Sequence, residues 1–294
     1  MSSTNDNNDT EAYILLTLAD SNLPTGAFVA SSGLESHVKH GFSSLSSSVE
    51  MATVNFVRDS LGSYARTALP FVADAHILVS NYCSAVEQSR LQETGEQMKE
   101  RTNVLKALTD LDELYHTMTL NHVARRASIS QGVALLTLYS KGFARPSSLS
   151  AFTATESQGQ EDQMKNLLEA FKLKARREEV FGHLPVCWGM LTAALGLNLE
   201  RAQYLHLFLH CRGLLSASVR LNDLGPYAAQ QVLFHAVQPL IATEMDSIKH
   251  LRTGLLVDPQ TIFDEPSQGP ANTWPLGEIL AARHDLQHSR IFNS

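Results

Sequence analysis

Residues 197–221 read LNLERAQYLHLFLHCRGLLSASVRL, and this stretch decides the fold class. Apolar side chains occur on nearly every side of the helix that it would form, as is typical of a helix covered by others on several faces. At 3.6 residues per turn, its small and polar residues fall within about 100° of one another. They form a narrow seam consisting of Gln203, His206, His210, Gly213, Ala217 and Arg220. The stretch predicts a central helix whose seam, through Gly213 and Ala217, lets a second helix approach closely.

Helical periodicity continues outside this stretch. Two further segments repeat apolar residues at steps of three and four, with polar residues on the other faces. They contain Val104, Leu108, Leu111, Tyr115 and Met118 in one stripe, and Met164, Leu167, Leu168, Phe171 and Ala175 in the other. No run of alternating β-branched residues between hairpin turns occurs. The sequence therefore predicts an all-α fold in a single globular domain.

Local signals mark several helix ends. Residues 32–35 and 47–50 both fit the capping-box pattern, and Gly41 is placed to end the first of these helices. Each of three prolines precedes an apolar helical pattern, as a proline in the first turn of a helix does. These are Pro70, Pro185 and Pro226.

The chain divides by composition into five parts. A polar, acidic N-terminus, residues 1–10, is expected to be disordered, and residues 11–257 to form the helical core. Within the core, residues 81–103 are interpreted as an insertion and residues 144–160 as a loop. Four prolines make residues 258–275 a linker, so residues 276–294 are expected to be a separate tail.

Charge and cysteine content restrict the class of protein. The 294 residues carry a formal net charge of −7, which argues against a nucleic-acid binder and favours protein partners. Cys83, Cys187 and Cys211 are widely spaced, as in a protein with reduced thiols. Neither a secretory signal nor an apolar run long enough for a bilayer occurs. We therefore expect a cytoplasmic protein that does not enter a membrane.

Residues 18–41, LADSNLPTGAFVASSGLESHVKHG, contain serines, acids and histidines that could suggest a catalytic site. A nucleophilic serine needs a histidine within hydrogen-bond reach and an acid that orients the histidine. Capping already accounts for Ser32 and Glu35 here. Phosphate-binding loops of the Walker and dinucleotide types, the HExxH motif and the GxSxG motif are all missing. We expect neither catalysis nor a bound cofactor.

Histidine pairs are the remaining candidates for chemistry. His206 and His210 are four residues apart on one helix face and could hold a metal ion through two imidazoles. Two ligands on one helix are too few for tight binding, so hydrogen-bonded histidines in a polar seam are the favoured interpretation. A helical enzyme with a histidine–acid site there, or a direct nickel or zinc carrier, stays open as an alternative.

Five sequence blocks, in order over most of the chain, resemble the UreF family of urease accessory proteins. The first is LLTLADSNLPTGAFVASSGLESHV, which departs from the family only in Ala27, where a second glycine is usual. The others are RRASISQGVALL (residues 125–136), GHLPVCWGMLTAALGLNLERA (182–202), LLSASVRLNDLGPYAAQQVL (214–233) and ARHDLQHSRIFNS (282–294). His288 stands where the family usually has tyrosine.

The resemblance implies a non-catalytic role for an all-α protein. UreF proteins tend to dimerise and to bind the accessory protein UreD, also called UreH. That complex recruits the GTPase UreG and delivers nickel to apo-urease, so the resemblance implies these partners and a homodimer within the complex. The two apparent insertions, residues 81–103 and 258–275, suggest a eukaryotic-style member.

The same resemblance implies which residues bind partners. The glycine-rich opening turn and the helix after it are expected to form an exposed surface, and the tail is expected to order when it docks on UreD, with Arg290 and Phe292 as its main anchors. The partner-binding residues predicted in this way are Pro24, Gly26, Phe28, Glu35, Arg220, Arg283, His284, Gln287, Arg290 and Phe292.

Overall fold

The computed structural model of the chain describes residues 3–25, 31–88, 95–146, 148–149, 158–256 and 262–287. Within these ranges it is helical and has no strand, which confirms the all-α, single-domain prediction. The helices are α1 (Ser3–Leu18), α2 (Leu34–Lys39), α3 (Val49–Gln88), α4 (Gly95–Met118), α5 (His122–Leu138), α6 (Gln158–Arg176), α7 (Leu184–Ala194), α8 (Leu199–Arg220), α9 (Pro226–Val232), α10 (Gln238–Ile248), α11 (Glu265–Gln268) and α12 (Pro275–Ala282). Short 3-10 turns occur at Phe42–Leu45 and His284–Leu286, and π-helical turns at Tyr139–Phe143 and Leu233–Val237.

Helix α3 passes through both parts of the hydrophobic core. Its first half packs with α2, α8, α9, α10 and α12 around buried side chains such as Phe56 and Leu61. Its second half packs with α4, α5, α6 and α7 around Phe71 and Tyr82. Because one continuous helix contributes to both clusters, the two parts of the core belong to the same domain.

The central helix that the sequence predicts is present as α8. Leu205 belongs to the part of the core around α7, whereas Leu214 belongs to the part around α10. Asn198 caps the start of the helix because its side chain accepts a hydrogen bond from the backbone N–H of Glu200 at 2.8 Å. The cap and the two-sided burial explain why a helix of mixed polarity is stable in the middle of the molecule.

Helix α7 is held in place by two close approaches that only glycine permits. A Cβ atom at Gly189 of α7 would lie 2.6 Å from the carbonyl oxygen of Val72 in α3. A Cβ atom at Gly132 of α5 would lie 2.1 Å from the carbonyl oxygen of Gly182, just before α7. Helices that pack backbone against backbone in this way fix the angle between α3, α5 and α7.

The helix ends only partly follow the sequence prediction. The hydroxyl that caps α2 belongs to Ser31, which accepts from the N–H of Glu35 at 3.3 Å, and not to the predicted Ser32. For α3 the cap is Ser48, which accepts from the N–H of Met51 at 3.2 Å. Gly41 follows α2 with a φ of 75°, as predicted. At both helix starts the hydroxyl belongs to the serine next to the predicted one. Ser32 itself has a left-handed backbone with a φ of 51°, whereas a capping residue is usually extended.

One proline prediction is wrong. Pro185 and Pro226 do lie in the first turns of α7 and α9. Pro70, however, lies inside α3, which continues to Gln88. A proline in a helix removes one backbone hydrogen bond. Its neighbours Leu69 and Phe71 are fully buried, and that packing keeps the helix continuous.

The structure also differs from the expected disorder of residues 1–10, since α1 begins at Ser3. Glu11 ties α1 to the start of α8: it forms an ion pair with Arg201 at 2.8 Å and accepts from the N–H of Asn198 at 2.8 Å. The segment 81–103 continues two helices, α3 and α4, around residues 89–94, which lie outside the described residues. Most of the predicted loop 144–160 also lies outside them.

The proline-rich segment and the start of the tail pack on the core and do not form a separate unit. Arg66 and Thr67 of α3 donate to the carbonyl oxygens of Pro266 and Ala271 at 2.9 and 3.2 Å. Trp274 packs edge-on against Phe56, and Leu280 of α12 is only 2% exposed. Burial of these apolar side chains outweighs the separation that the prolines suggest. Residues 257–261 and 288–294 lie outside the described residues.

Candidate functional site

The opening stretch and the C-terminal segment meet at the contact between α2 and α12. Gly33 precedes α2 with a φ of 91°, and a Cβ atom there would lie 2.9 Å from the backbone nitrogen of Ala281. Glycine is required at this position by its left-handed backbone and by the approach of α12. Sequence blocks that are about 250 residues apart, by the chain numbering, are thus parts of one surface.

Three of the predicted partner-binding residues contact this interface from within the chain. Glu35 forms an ion pair with Lys39 at 3.1 Å, and its other oxygen lies 3.9 Å from Nδ1 of His284. Gln287 donates to the hydroxyl of Ser36 at 3.0 Å. The expectation that Glu35 is exposed for partners is wrong, because its side chain is only 2% exposed beneath α12. Its carboxylate has a structural task within the chain.

A second set of polar contacts joins the C-terminal segment to α5. Asp285 forms ion pairs with Arg126 at 2.7 Å and with His122 at 3.1 Å, both on α5. The hydrogen bond from Arg126 is the main reason why the pKa of Asp285 is lowered. Asn121, which caps α5, donates to the carbonyl oxygen of Glu278 at 3.1 Å. These contacts are not predictable from the sequence, because no spacing rule pairs residues of α5 with residues of the tail.

We expect Glu35→Gln to loosen α12 without unfolding the core. The substitution removes the charge that pairs with Lys39 and faces His284, which should cost about 1–3 kcal/mol because the site is desolvated. Hydrogen exchange of residues 275–287 should become faster, while the exchange of α3 and α8 stays unchanged. Glu113→Gln, an exposed carboxylate on α4, is the matched control. Unchanged protection of α12 in Glu35→Gln would contradict the proposed role of Glu35.

Beneath this contact lies a cavity with a volume of about 550 Å³. It is bounded by the end of α1 and the opening stretch, by α3, α5 and α8, and by α12. Its walls are mixed, with aromatic, hydroxyl and imidazole groups. Among the lining side chains are Tyr64, Tyr115, Trp188, His206, His210 and Trp274. A concave, largely apolar site with a few polar groups is the usual form of a binding site.

The paired histidines of α8 form hydrogen bonds to α3 on the wall of this cavity. His206 Nε2 lies 2.9 Å from the hydroxyl of Tyr64, and His210 Nε2 lies 3.0 Å from that of Ser60. The Tyr64 ring stacks on His210 at 4.0 Å between centroids. Burial lowers the pKa of His206 to about 3 and that of His210 to about 4. The arrangement matches the predicted hydrogen-bonded pair in a polar seam.

A metal site at His206 and His210 would find no third ligand in the described part of the chain. Nowhere in it do three His, Cys, Asp or Glu side chains group closely enough to hold an ion. Tight zinc or nickel binding generally needs at least three protein ligands. A carrier role through His206 and His210 would therefore depend on groups from elsewhere.

Acid should destabilise the protein through these two histidines. Their pKa values are lower in the folded than in the unfolded chain, so stability is full above pH 6.5 and falls as the pH falls toward 4. Two such groups contribute a slope of up to about 3 kcal/mol per pH unit. Urea unfolding at pH 7, 6 and 5 should therefore show a smaller loss for the His206→Gln, His210→Gln variant. His250→Gln, an exposed control, should behave as the wild type; equal slopes in all three proteins would contradict the assignment.

One part of the predicted seam is wrong. A Cβ atom at Gly213 would meet no other atom within 4 Å, since this residue lines the cavity. Ala217 is buried, at 3% exposed, as predicted. The seam thus faces α3 in part and the cavity in part, and overpacking at Gly213 is not expected. Helical periodicity places residues on a face but does not show which atoms stand opposite that face.

The remaining predicted partner-binding residues lie in different places. Pro24 and Arg220 are exposed, Arg220 at the end of α8, and Arg283 is exposed at the end of α12. Gly26, Phe28, Arg290 and Phe292 lie outside the described residues.

A buried node of polar contacts, which no spacing in the sequence indicates, joins two of the sequence blocks. Both oxygens of Asp112 accept backbone hydrogen bonds, from the N–H groups of Phe181, Gly182 and His183 at 2.7–2.9 Å. The hydroxyl of Ser128 lies 3.1 Å from His183 Nδ1 and accepts from the N–H of Leu184 at 3.0 Å. Burial lowers the pKa of His183 to about 3. The node positions α5 and α7 at the cavity wall.

Comparison with known proteins identifies the family. A family model described as UreF matches residues 50–237, which includes α3 to α9 and hence most of the core and the cavity wall. The chain is also 40% identical over 312 aligned residues, covering 97% of both chains, to Urease accessory protein 6 of Cryptococcus neoformans var. grubii. The chain belongs to the UreF family.

Other relatives extend over nearly the whole chain as well. An uncharacterized urease accessory protein UreF-like of Schizosaccharomyces pombe is 30% identical over 97% of this chain and 98% of its own length. Urease accessory protein F of Arabidopsis thaliana is 26% identical over 94% of this chain and 90% of its own length. Each of these matches extends well beyond the region of the family model. None of the described helices combines the length and apolar character needed to cross a bilayer.

Proposed function

We propose that this UreF protein is a non-catalytic subunit of the urease maturation machinery, which bridges UreD and the GTPase UreG for the delivery of nickel to apo-urease in the cytoplasm. The observation that carries the proposal is the 40% identity to a urease accessory protein over 97% of both chains. The described structure is compatible with it, since the buried polar groups near the cavity are engaged with one another as structural groups. Nickel is the cargo of this process, and the GTPase would supply the nucleotide.

Partner binding is assigned to the C-terminal segment that packs on α2, at the end that is exposed. Ile279 and Leu286 are 61% and 66% exposed, so the outer face of this segment is apolar although its inner face is docked. Residues 288–294 continue directly from it and contain Arg290 and Phe292. Arginine and aromatic side chains are the types most often found as interface hot spots. We propose that this end binds UreD. Arg283, which is exposed at the end of α12, would help to fix the register in which the segment binds.

Pro24, Gly26 and Phe28 of the opening turn, together with Arg220, are proposed as further partner contacts. Pro24 is exposed between Leu23 and Thr25, which line the cavity, and Arg220 lies at the exposed end of α8. A homodimer within the complex is part of the same proposal. It follows the family resemblance and would give the bridging complex two copies of each surface.

The test uses urease activity in a strain that lacks its own copy of this gene. We expect the wild-type chain to restore activity, and the Arg290→Ala, Phe292→Ala double variant to lower it by about tenfold or more, with loss of co-purified UreD. The matched control is Arg177→Ala with Tyr227→Ala, which removes an exposed arginine and an exposed aromatic elsewhere. Wild-type activity and UreD binding in the tail variant would refute the docking assignment. No rescue by the wild-type chain would refute the proposed function itself.

Equilibrium dialysis of the purified chain against nickel distinguishes a direct nickel carrier from the proposed bridging subunit. We expect no tight, stoichiometric binding, since His206 and His210 provide only two imidazoles, both engaged with hydroxyl groups of α3. Stoichiometric binding that is lost in the His206→Gln, His210→Gln variant would favour the carrier. A helical enzyme would instead show turnover of a substrate without any partner.

A further inference from the structure

The π-helical turn at the end of α5 presents a serine to a lysine of α6. In this turn, Tyr139–Phe143, the hydroxyl of Ser140 donates to the carbonyl oxygen of Thr137 at 3.1 Å and accepts from Lys172 Nζ at 2.6 Å. Turns of this type within α-helices occur frequently at functional sites. The contact joins the end of α5 to α6, and no residue of α6 lines the cavity.

Two more cations lie beside this contact. Lys141 follows Ser140 in the chain, and Arg176 lies one helical turn after Lys172; both are exposed. The Lys172 side chain is 9% exposed, and its pKa is lowered by burial first and then by the charges of Arg176 and Lys141. The stem of Lys172 is therefore covered while its ammonium remains within a group of like charges.

These three cations have no carboxylate partner among the described residues. The neighbouring basic residues Arg145, Lys174 and Arg177 do, since they pair with Glu161 and Glu179. Glu169 of α6 opposes the repulsion at Lys172 only from beyond ion-pair distance. An anion bound between the three cations would relieve their repulsion.

We propose that Lys141, Lys172 and Arg176 form a binding site for a phosphate-sized oxyanion. An ammonium has three N–H donors, and Ser140 uses one of those of Lys172, so two remain for the anion. Ser140 fixes the direction of the ammonium, and the guanidinium of Arg176 can supply two parallel donors. The site lies apart from the α2–α12 unit, so the proposal does not rest on the UreD assignment.

Calorimetric titration of the full chain with inorganic phosphate tests the site, with chloride used to keep the ionic strength equal. A parallel titration with glycerol 3-phosphate distinguishes free phosphate from a phosphate ester. We expect saturable binding in at least one of the two titrations. Lys172→Met keeps the buried stem and removes the charge, so it should weaken binding by about tenfold or more, as for the loss of a charge-assisted hydrogen bond.

Two further variants keep the test decisive. The Lys141→Gln, Arg176→Gln variant changes only exposed cations and should also weaken binding without loss of helix content, even if Lys172→Met folds poorly. Arg177→Gln, next to Arg176 but paired with Glu179, is the matched control and should bind as the wild type. Absence of saturable binding with both anions, or equal affinity in all four proteins, would overturn the proposal.

Discussion

Gly132→Ala should destabilise the protein by about 3 kcal/mol or more, because the new methyl group would overlap a backbone that has no room to move. Its carbon would lie 2.1 Å from the carbonyl oxygen of Gly182 and 2.8 Å from the carbonyl carbon of His183. Relief would require α5 and α7 to separate, and α7 is buried along nearly its whole length. Urea unfolding followed by circular dichroism would measure the loss as a lower midpoint at unchanged slope.

The same substitution at Gly213 is the matched control. Gly213 also lies inside a helix, α8, but a Cβ atom there meets no atom within 4 Å. Alanine should therefore raise stability by about 1 kcal/mol through its better helix propensity. A similar, small effect at both positions would show that the α5–α7 crossing can relax and that the close approach is not a constraint on the fold.

Asp112→Ala should have the second large effect, a loss of about 3–5 kcal/mol. Its carboxylate accepts hydrogen bonds from three backbone N–H groups before α7, and these donors would be left buried and unsatisfied. Asp112 itself is fully buried, so water cannot replace the carboxylate without opening the core. Thermal unfolding of the variant should therefore begin well below that of the wild type, with α7 losing its hydrogen-exchange protection first.

Two variants separate the effect of the lost hydrogen bonds from the effects of helix propensity and side-chain volume. Asp112→Asn retains one acceptor oxygen and nearly the same size, so it should lose less stability than Asp112→Ala. Asp110→Ala, two residues earlier on α4 and exposed, should change stability by no more than about 0.5 kcal/mol. If Asp112→Ala matched Asp110→Ala, the three backbone donors would have other partners in the folded protein, and Asp112 would not be the residue that positions α7.

Both changes act on the wall of the cavity, so their effects would extend to the proposed function. Ser128 lies one turn before Gly132 on α5 and Leu135 lies three residues after it, and both line the cavity. A displaced α5 would also move Arg126 and His122, which hold Asp285 of the C-terminal segment. We therefore expect the stability of the α5–α7 node and the docking of α12 to change together.

The sequence by itself determined the fold class, the family and the central helix. Apolar residues at steps of three and four are enough for the fold class and the central helix, because a helix must bury its apolar face whatever its partner is. The side of α8 that carries His206 and His210 was also predictable, since helical geometry fixes which residues share a face. The resemblance through residues 18–41 and the later blocks placed the chain in its family for the same local reason: each block is a continuous stretch.

Only the tertiary structure decided what the residues on these faces contact. Glu35 belongs to the opening block and His284 to the last, and their approach depends on α12 packing against α2 through Gly33. Burial of Leu280 and Trp274 outweighed the four prolines that predicted a separate tail. In the same way, the partners of Asp112 are backbone groups about 70 residues later in the chain, as the spacing of these hydrogen bonds shows. Long-range burial and backbone hydrogen bonding have no period along the chain, so their partners become known only when the helices are packed.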